Sequence, residues 1–356
     1  MNQPEQDTQG SPPVGRAIRR AAIMLGVTVV LGAVAALGLW QAEPGREALR
    51  QLAERANPWG MLLGVLVITL ATPIAALRWR CLLPPAVSTP GSTWNLTLIQ
   101  CVAVLFNYAL PGPVGELVAA GLVSRRYPVS TAEALMAGMV VRLLGLGVAA
   151  VLAAGIFLLA PLPIPENARD VALAGVLALL LGATAIATAV ALPQQLRRLL
   201  ARIAAPLEGL SGWLGRGIRR GVALADKLLL ALVAIQQRGA RPLVMATLWT
   251  FVGHTVSPTG VAIAAWAMGM KAAWAGVVFT NAFVIVGALA LFLFPGSQLG
   301  WDAMYLTVFA GSTGVSLADA AAITVLTRGQ QSLLVLLGIV ALLWVMRWWG
   351  RGRSDG

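Results

Sequence analysis

The chain has 356 residues, of which 58% are hydrophobic and only 11% charged, with a mean hydropathy of +0.80. A soluble domain carries about 25% charged residues, so this composition excludes an ordinary soluble enzyme and indicates a polytopic membrane protein. The net charge of +12 does not read as a nucleic-acid footprint, because the cations cluster at the ends of apolar runs, as the positive-inside rule expects.

Residues 1–15, with Pro4, Pro12 and Pro13, form a polar tail expected to be disordered. Arg16, Arg19 and Arg20 then precede an apolar run to Trp40. The run is too long for a signal-peptide core and lacks a small-x-small cleavage site, so a first transmembrane helix is predicted over about 18–40. A mixed-charge loop from Glu43 to Arg55 leads to a second helix over about 57–77, which ends at Arg78-Trp79-Arg80. After Pro84, Pro85 and Pro90 comes a helix–break–helix unit over about 94–126, interrupted at Leu110-Pro111-Gly112 and closed by Arg125-Arg126. The third helix, about 130–160, is stopped by Pro161, Pro163 and Pro165, and the fourth, about 170–192, by Pro193. Residues 194–240 carry Arg197, Arg198, Arg202, Arg216, Arg219, Arg220 and Arg238 with leucines between them. They read as basic amphipathic helices on the cytoplasmic face, attracted to anionic headgroups. A fifth helix over about 241–269 follows, then a second helix–break–helix unit over about 272–313, broken at Phe294-Pro295-Gly296. The sixth helix spans about 315–345, and Arg347, Arg351 and Arg353 mark a basic tail, 347–356. Trp40, Trp59, Trp79, Trp94, Trp344, Trp348 and Trp349 lie near helix ends and are expected to form an interfacial belt.

The two interrupted units repeat one plan. A carboxylate follows each break, Glu116 and Asp302, and each unit leads into a matching string, Val129 to Ala134 (VSTAEA) and Val315 to Ala320 (VSLADA). From Ser130 to Arg142 is 12 residues, and so is Ser316 to Arg328. If each unit is a re-entrant hairpin, every arginine-rich segment falls on one side with the N-terminus inside; if residues 94–110 cross fully, segment 194–240 flips outside and breaks the positive-inside rule. The predicted fold is therefore all-α and polytopic, with six transmembrane helices and two re-entrant Pro-Gly hairpins in an inverted-topology repeat, a plan used by many secondary transporters. It forms a single transmembrane domain over 16–346, with one half about 18–160 and the other about 170–345.

Arg142 and Arg328 each lie about 18 Å into their helices at about 1.5 Å per residue, near the centre of a hydrocarbon core about 30 Å thick. A charge at that depth is costly and marks a functional candidate. Pairing Glu116 with Arg142 and Asp302 with Arg328 would neutralise both; the cross-pairs would do the same. Either the pairs are structural or their arginines also hold a phosphate or headgroup. Pro111, Gly112, Gly115, Pro295, Gly296 and Gly300 are assigned to the breaks, where the free N–H groups of a half-helix favour an anion. Asn107, His254, Asn281 and Gln298 are secondary candidates: His254 for a packing, hydrogen-bonding or proton role, Asn281 for lining a cavity, Asn107 and Gln298 for satisfying broken backbone. Cys81 and Cys101 form no framework or metal pattern, and with one histidine no metal site, cofactor or nucleophile–base pair is predicted.

The run Arg78 to Leu83 (RWRCLL), then Asn107, Leu110 to Glu116 (LPGPVGE), Ser124 to Ser130 (SRRYPVS), Arg142, Phe294 to Asp302 (FPGSQLGWD), VSLADA and Arg328 together resemble the lysylphosphatidylglycerol synthase transmembrane-domain family of flippase-like proteins. The resemblance covers about 20–345. It implies a domain that moves lipids between leaflets. It does not imply lysyl transfer, because the chain ends soon after the sixth helix, with no room for a soluble synthase domain. Asp302 stands where that family commonly has a glutamate.

The expected function is translocation of an anionic-headgroup lipid, a phospholipid or a polyprenyl-phosphate type, between leaflets of the plasma (inner) membrane, with both termini cytoplasmic. The expected partners are membrane lipids and their anionic headgroups, with a cytoplasmic or membrane enzyme or a second copy compatible with the same surface. Two alternatives are a secondary transporter of a small anionic or zwitterionic solute and a non-transporting membrane scaffold. The chain is not expected to act as an enzyme.

Overall fold

In a computed structural model of the chain, the described residues are 54–109, 114–205, 212–291 and 297–349. The predicted tail and first helix, the break residues Pro111, Gly112, Pro295 and Gly296, and the terminal Arg351 and Arg353 lie outside them. Among the described residues every regular element is helical: α1 (Pro58–Thr69), α2 (Ala71–Leu82), a single 3-10 turn (Pro85–Val87), α3 (Ser92–Ala109), α4 (Val114–Arg126), α5 (Thr131–Leu159), α6 (Glu166–Ala191), α7 (Pro193–Ala204), α8 (Gly212–Gln236), α9 (Arg241–Ala267), α10 (Trp274–Leu291), α11 (Ser297–Thr313) and α12 (Leu317–Trp349).

Four segments are long and apolar enough to cross a membrane: Pro58–Leu82, Thr131–Leu159, Arg169–Ala191 and Leu317–Arg347. They coincide with the second, third, fourth and sixth predicted helices. The fifth, α9, is long enough but less apolar, because it carries Thr250, His254, Thr255, Ser257 and Thr259. The spanning helices present leucines outward, Leu177 and Leu181 on α6 and Leu336 and Leu343 on α12. Apolar faces of that extent belong against lipid. The protein is thus a helical, membrane-embedded one.

Local chemistry sets the ends of these helices. Asn57 accepts from the backbone N–H groups of Trp59 (3.0 Å) and Gly60 (3.3 Å), with Pro58 at the first helical position. The second predicted helix does not end at 77. It turns at Leu70 and runs on to Leu82, where Pro84 holds Leu83 extended. The correction moves Arg78 from a helix end into a packed helix. The repeated VS strings are helix starts. The Ser130 hydroxyl oxygen accepts from Glu133 N–H (3.1 Å) while Glu133 accepts from Ser130 N–H (3.0 Å), a reciprocal capping box. Ser316 likewise accepts from Asp319 N–H (3.1 Å). Ser130→Ala should cost about 1 kcal/mol, read as a fall of a few degrees in the melting midpoint of the purified protein, with no change in the site described below.

Helices α1 and α2 pack along α9. The approach is close because glycines face one another: a Cβ on Gly64 would lie 2.7 Å from the Gly260 carbonyl, and one on Gly260 would lie 2.6 Å from that of Gly64. Each interrupted unit then packs on the long helix that follows the other. Helix α3 lies on α12, where a Cβ on Gly338 would sit 2.5 Å from the Cys101 carbonyl; α10 lies on α5, with Phe279 and Phe157 in ring contact at 6.2 Å. One core gathers Trp79, Leu82, Leu96, Ile99, Val123 and Val140; a second gathers Val277, Val284, Tyr305, Phe309 and Ile323.

Among the described residues the basic segment forms helices α7 and α8. Leu196 and Leu200 of α7 and Leu229, Leu232 and Ile235 of α8 join the first core. Arg197 of α7 pairs with Asp226 of α8 (2.7 Å), and Arg238 donates to the carbonyls of Leu82 (2.7 Å) and Leu83 (2.8 Å), capping the C-terminus of α2. Arg198, Arg202, Arg216 and Arg220 remain exposed.

Candidate functional site

The site grows from the break in the first unit. Asn107, near the end of α3, reaches across to the first turn of α4. Its Oδ1 accepts from Gly115 N–H (2.8 Å), and its Nδ2 donates to Glu116 Oε1 (3.1 Å). Asn107 therefore satisfies a helix-start N–H that has no partner inside the helix and orients the carboxylate beside it. Glu116 also benefits from its place in the first turn, where the helix dipole favours negative charge. The same Oε1 accepts from Arg142 Nη2 of α5. Gly115 is not part of the break but the second residue of α4, and it is required there: a Cβ would sit 2.2 Å from the Ala103 carbonyl and 2.4 Å from Asn107 Oδ1.

This cluster opens onto a cavity of about 360 Å³ between α2, α3, α4, α5, α9 and α10, whose polar walls are Arg78, Gln100, Glu116, Arg142 and His254. The Arg142 side chain is 42% exposed and that of Glu116 17%, so the pair faces the cavity instead of closing it. Four side-chain polar atoms are buried with no hydrogen-bond partner among the described residues: Ser92 Oγ and three that belong to the cavity walls, Arg78 Nε, Glu116 Oε2 and His254 Nε2. Buried polar atoms left in that state are rare in a finished core and call for an explanation. Two of these residues converge at Gly145, one helical turn beyond Arg142: a Cβ there would lie 3.7 Å from His254 Nε2 and 3.9 Å from Arg78 Nη1. The absence of a side chain at position 145 keeps that space open.

The second unit makes the matching pair. Asp302 Oδ1 accepts from Arg328 Nε (2.9 Å) and Nη2 (2.6 Å), while Arg328 Nη1 donates to Gln331 Oε1 (2.7 Å). The guanidinium also lies 5.2 Å over the Trp301 ring, a cation–π contact. The pairs thus form within each unit, not across them. Neither Asp302 nor Arg328 lines the cavity. Asn281, expected to line one, instead donates to the Val277 carbonyl (3.0 Å) and lies 3.5 Å from the Tyr305 hydroxyl, inside the second unit. Gly300 falls within the helical α11 and not in the break, and the Gln298 side chain is outside the described residues.

Sequence reasoning missed Arg78, Gln100 and Trp79. Arg78-Trp79-Arg80 looks like a cluster ending a helix at a membrane face. The signal against this was that no helix breaker occurs before Pro84, which places Arg78 more than a turn inside. Trp79 does not join the interfacial belt: it is 3% exposed and its indole N–H donates to the Ala134 carbonyl (3.3 Å), whereas Trp59 and Trp94 are 77% and 64% exposed.

A family model described as "Lysylphosphatidylglycerol synthase TM region" matches residues 23–350. The match spans most of the chain, which belongs to this family. No curated protein matches the chain, and no solved structure does.

Proposed function

We propose that this member of the lysylphosphatidylglycerol synthase TM region family moves a lipid with an anionic headgroup between the leaflets of the plasma membrane. The observation that carries the reading is the cavity: two arginines, one carboxylate and a histidine walled by helices whose outer faces are apolar. A charged cavity inside a membrane body is expensive unless something polar uses it. In this reading the tails stay in lipid while the headgroup enters beside Arg142.

The architecture we attach to it is six transmembrane helices and two re-entrant hairpins in an inverted repeat, with both termini cytoplasmic. Its support is the exchange of packing, α3 on α12 and α10 on α5, and the two like ion pairs. Helix α9 counts as a spanning helix despite its polar residues, since it packs against α1, α2, α5 and α10 and need not be apolar all round. Arg142 serves as the headgroup ligand and Glu116 as its counter-charge. Arg328, with Asp302, Gln331 and Trp301 around it, holds the second unit in register and is the phosphate ligand of the alternate state.

The test is a proteoliposome assay with tail-labelled phosphatidylglycerol, in which quencher reads the transbilayer rate. Wild-type protein should raise the rate over protein-free vesicles. Arg142→Ala and Arg328→Ala should each lower it at least about tenfold, the loss expected for one strong charge-assisted contact of about 1.4 kcal/mol or more. Wild-type rates in both variants, with unchanged melting midpoints, would sink the proposal.

A further inference from the structure

We infer that the cavity selects a singly negative phosphodiester headgroup, held by Arg78 and His254 together with Arg142, and rejects headgroups of net positive charge. The inference rests on the lipid reading above and specifies its substrate.

The charged side chains that line the cavity are Arg78, Arg142 and Glu116, which sum to one positive charge with His254 neutral. Glu116 carries one negative charge against two guanidiniums, and its Oε1 is committed to Arg142 and Asn107. Arg78 stands on α2, with its Nε buried and unpartnered among the described residues. A guanidinium in that position is a ligand in search of acceptor oxygens, and its planar fork matches the paired oxygens of a phosphate. His254 Nε2 supplies a second unpartnered nitrogen from α9, and the gap over Gly145 is where both groups point. Helices α2, α5 and α9 thereby offer three nitrogen-bearing side chains around one open space.

The size and charge of that space limit what fills it. A volume of about 360 Å³ suits a headgroup and not a whole lipid, within the range of about 300–1,000 Å³ typical of small-molecule sites. One phosphodiester charge neutralises the cavity. A zwitterionic headgroup brings an ammonium whose open acceptor in the wall, Glu116 Oε2, belongs to the carboxylate that already offsets Arg142. An aminoacylated headgroup of net positive charge adds repulsion at close range, where low dielectric strengthens it. Glu116 Oε2 is open to one ammonium, but the charge of that carboxylate already offsets Arg142, so with Arg78 in the wall the cavity stays positive and a net cation is disfavoured.

The experiment uses the purified full-length chain in maltoside micelles, titrated by calorimetry with dioctanoyl phosphatidylglycerol, phosphatidylcholine and lysylphosphatidylglycerol, and with inorganic phosphate. The phosphatidylglycerol should bind about tenfold or more tightly than the other two lipids, the difference worth one strong charge-assisted pair, and inorganic phosphate at equal concentration should not displace it. Arg78→Gln should erase that preference and Arg78→Lys should retain part of it. Equal binding of the cationic lipid by the wild type overturns the inference, as does displacement by phosphate alone. So does a monodisperse Arg78→Gln protein that keeps the wild-type preference. Should Arg78→Gln not fold, the wild-type ranking of lipids and the Arg78→Lys protein decide. Preference for phosphatidylglycerol without translocation in proteoliposomes would remove the translocase and leave this site; translocation untouched by Arg78→Gln would remove this site and leave the translocase.

Discussion

Glu116→Ala should both destabilise the protein and stop transport, and the double variant Glu116→Ala/Arg142→Ala should recover the stability without the transport. Removing one partner of a buried ion pair costs about 3–5 kcal/mol because a charge is left uncompensated. Here Arg142 is 42% exposed and Glu116 17%, so screening in the cavity reduces the expected cost to about 1–3 kcal/mol. The alanine also strips Asn107 of its acceptor while leaving Arg78 and Arg142 in one cavity with no carboxylate. Deleting both members of the pair removes that excess charge, and removing a pair outright is often near neutral. Unfolding midpoints in micelles measure the first quantity and proteoliposome rates the second. A double variant that regained both would make the pair a device of folding alone. A double variant stable but inactive, at least about tenfold down, assigns Arg142 to the substrate.

Much of this arrangement is written locally in the chain. Proline flanks many of the helices, and the VS strings carry the hydroxyl and carboxylate spacing of a helix start, so the starts of α5 and α12, and with them the equal offset of Arg142 and Arg328 along their helices, follow from spacing alone. The candidate partners of those arginines were also readable, because a carboxylate follows each break, Glu116 in the first turn of α4 and Asp302 one turn further into α11, but the choice between direct and cross-pairs was not. What the chain does not spell out is contact between distant elements. Arg78 and Arg80 are both cations in one short run, yet Arg80 reaches Thr93 at the helix end while Arg78 turns into the cavity. The difference is two positions on a helix, about 200° of rotation at about 3.6 residues per turn, and it has meaning only once α5 and α9 are in place. Trp79 fails the belt expectation for the same reason: its neighbour Ala134 is 55 residues away. The exchange of α3 onto α12 and α10 onto α5 depends on glycines such as Gly338 meeting a backbone that no local pattern identifies.

Gly115→Ala should be among the most damaging small substitutions in the molecule, and Gly121→Ala, on the same helix, should be harmless. A methyl on Gly115 would lie 2.2 Å from the Ala103 carbonyl oxygen and 2.4 Å from Asn107 Oδ1. The first of these is backbone and cannot swing aside, so α3 and α4 must move apart. Overpacking of this kind costs about 1–3 kcal/mol and occasionally more. The displaced Asn107 would also release Gly115 N–H and Glu116 Oε1, to which it is bonded at 2.8 and 3.1 Å, and with them the orientation of Arg142. Transport should therefore fall along with the melting midpoint, at least about tenfold for the loss of one such contact. Gly121 has nothing within 4 Å of where its Cβ would stand, and alanine is the better helix former by about 1 kcal/mol. Its replacement should leave transport unchanged and hold or raise the midpoint. If the two alanines behaved alike, α3 and α4 would not meet as closely as Gly115 requires, and Asn107 would not be what holds Glu116 toward Arg142.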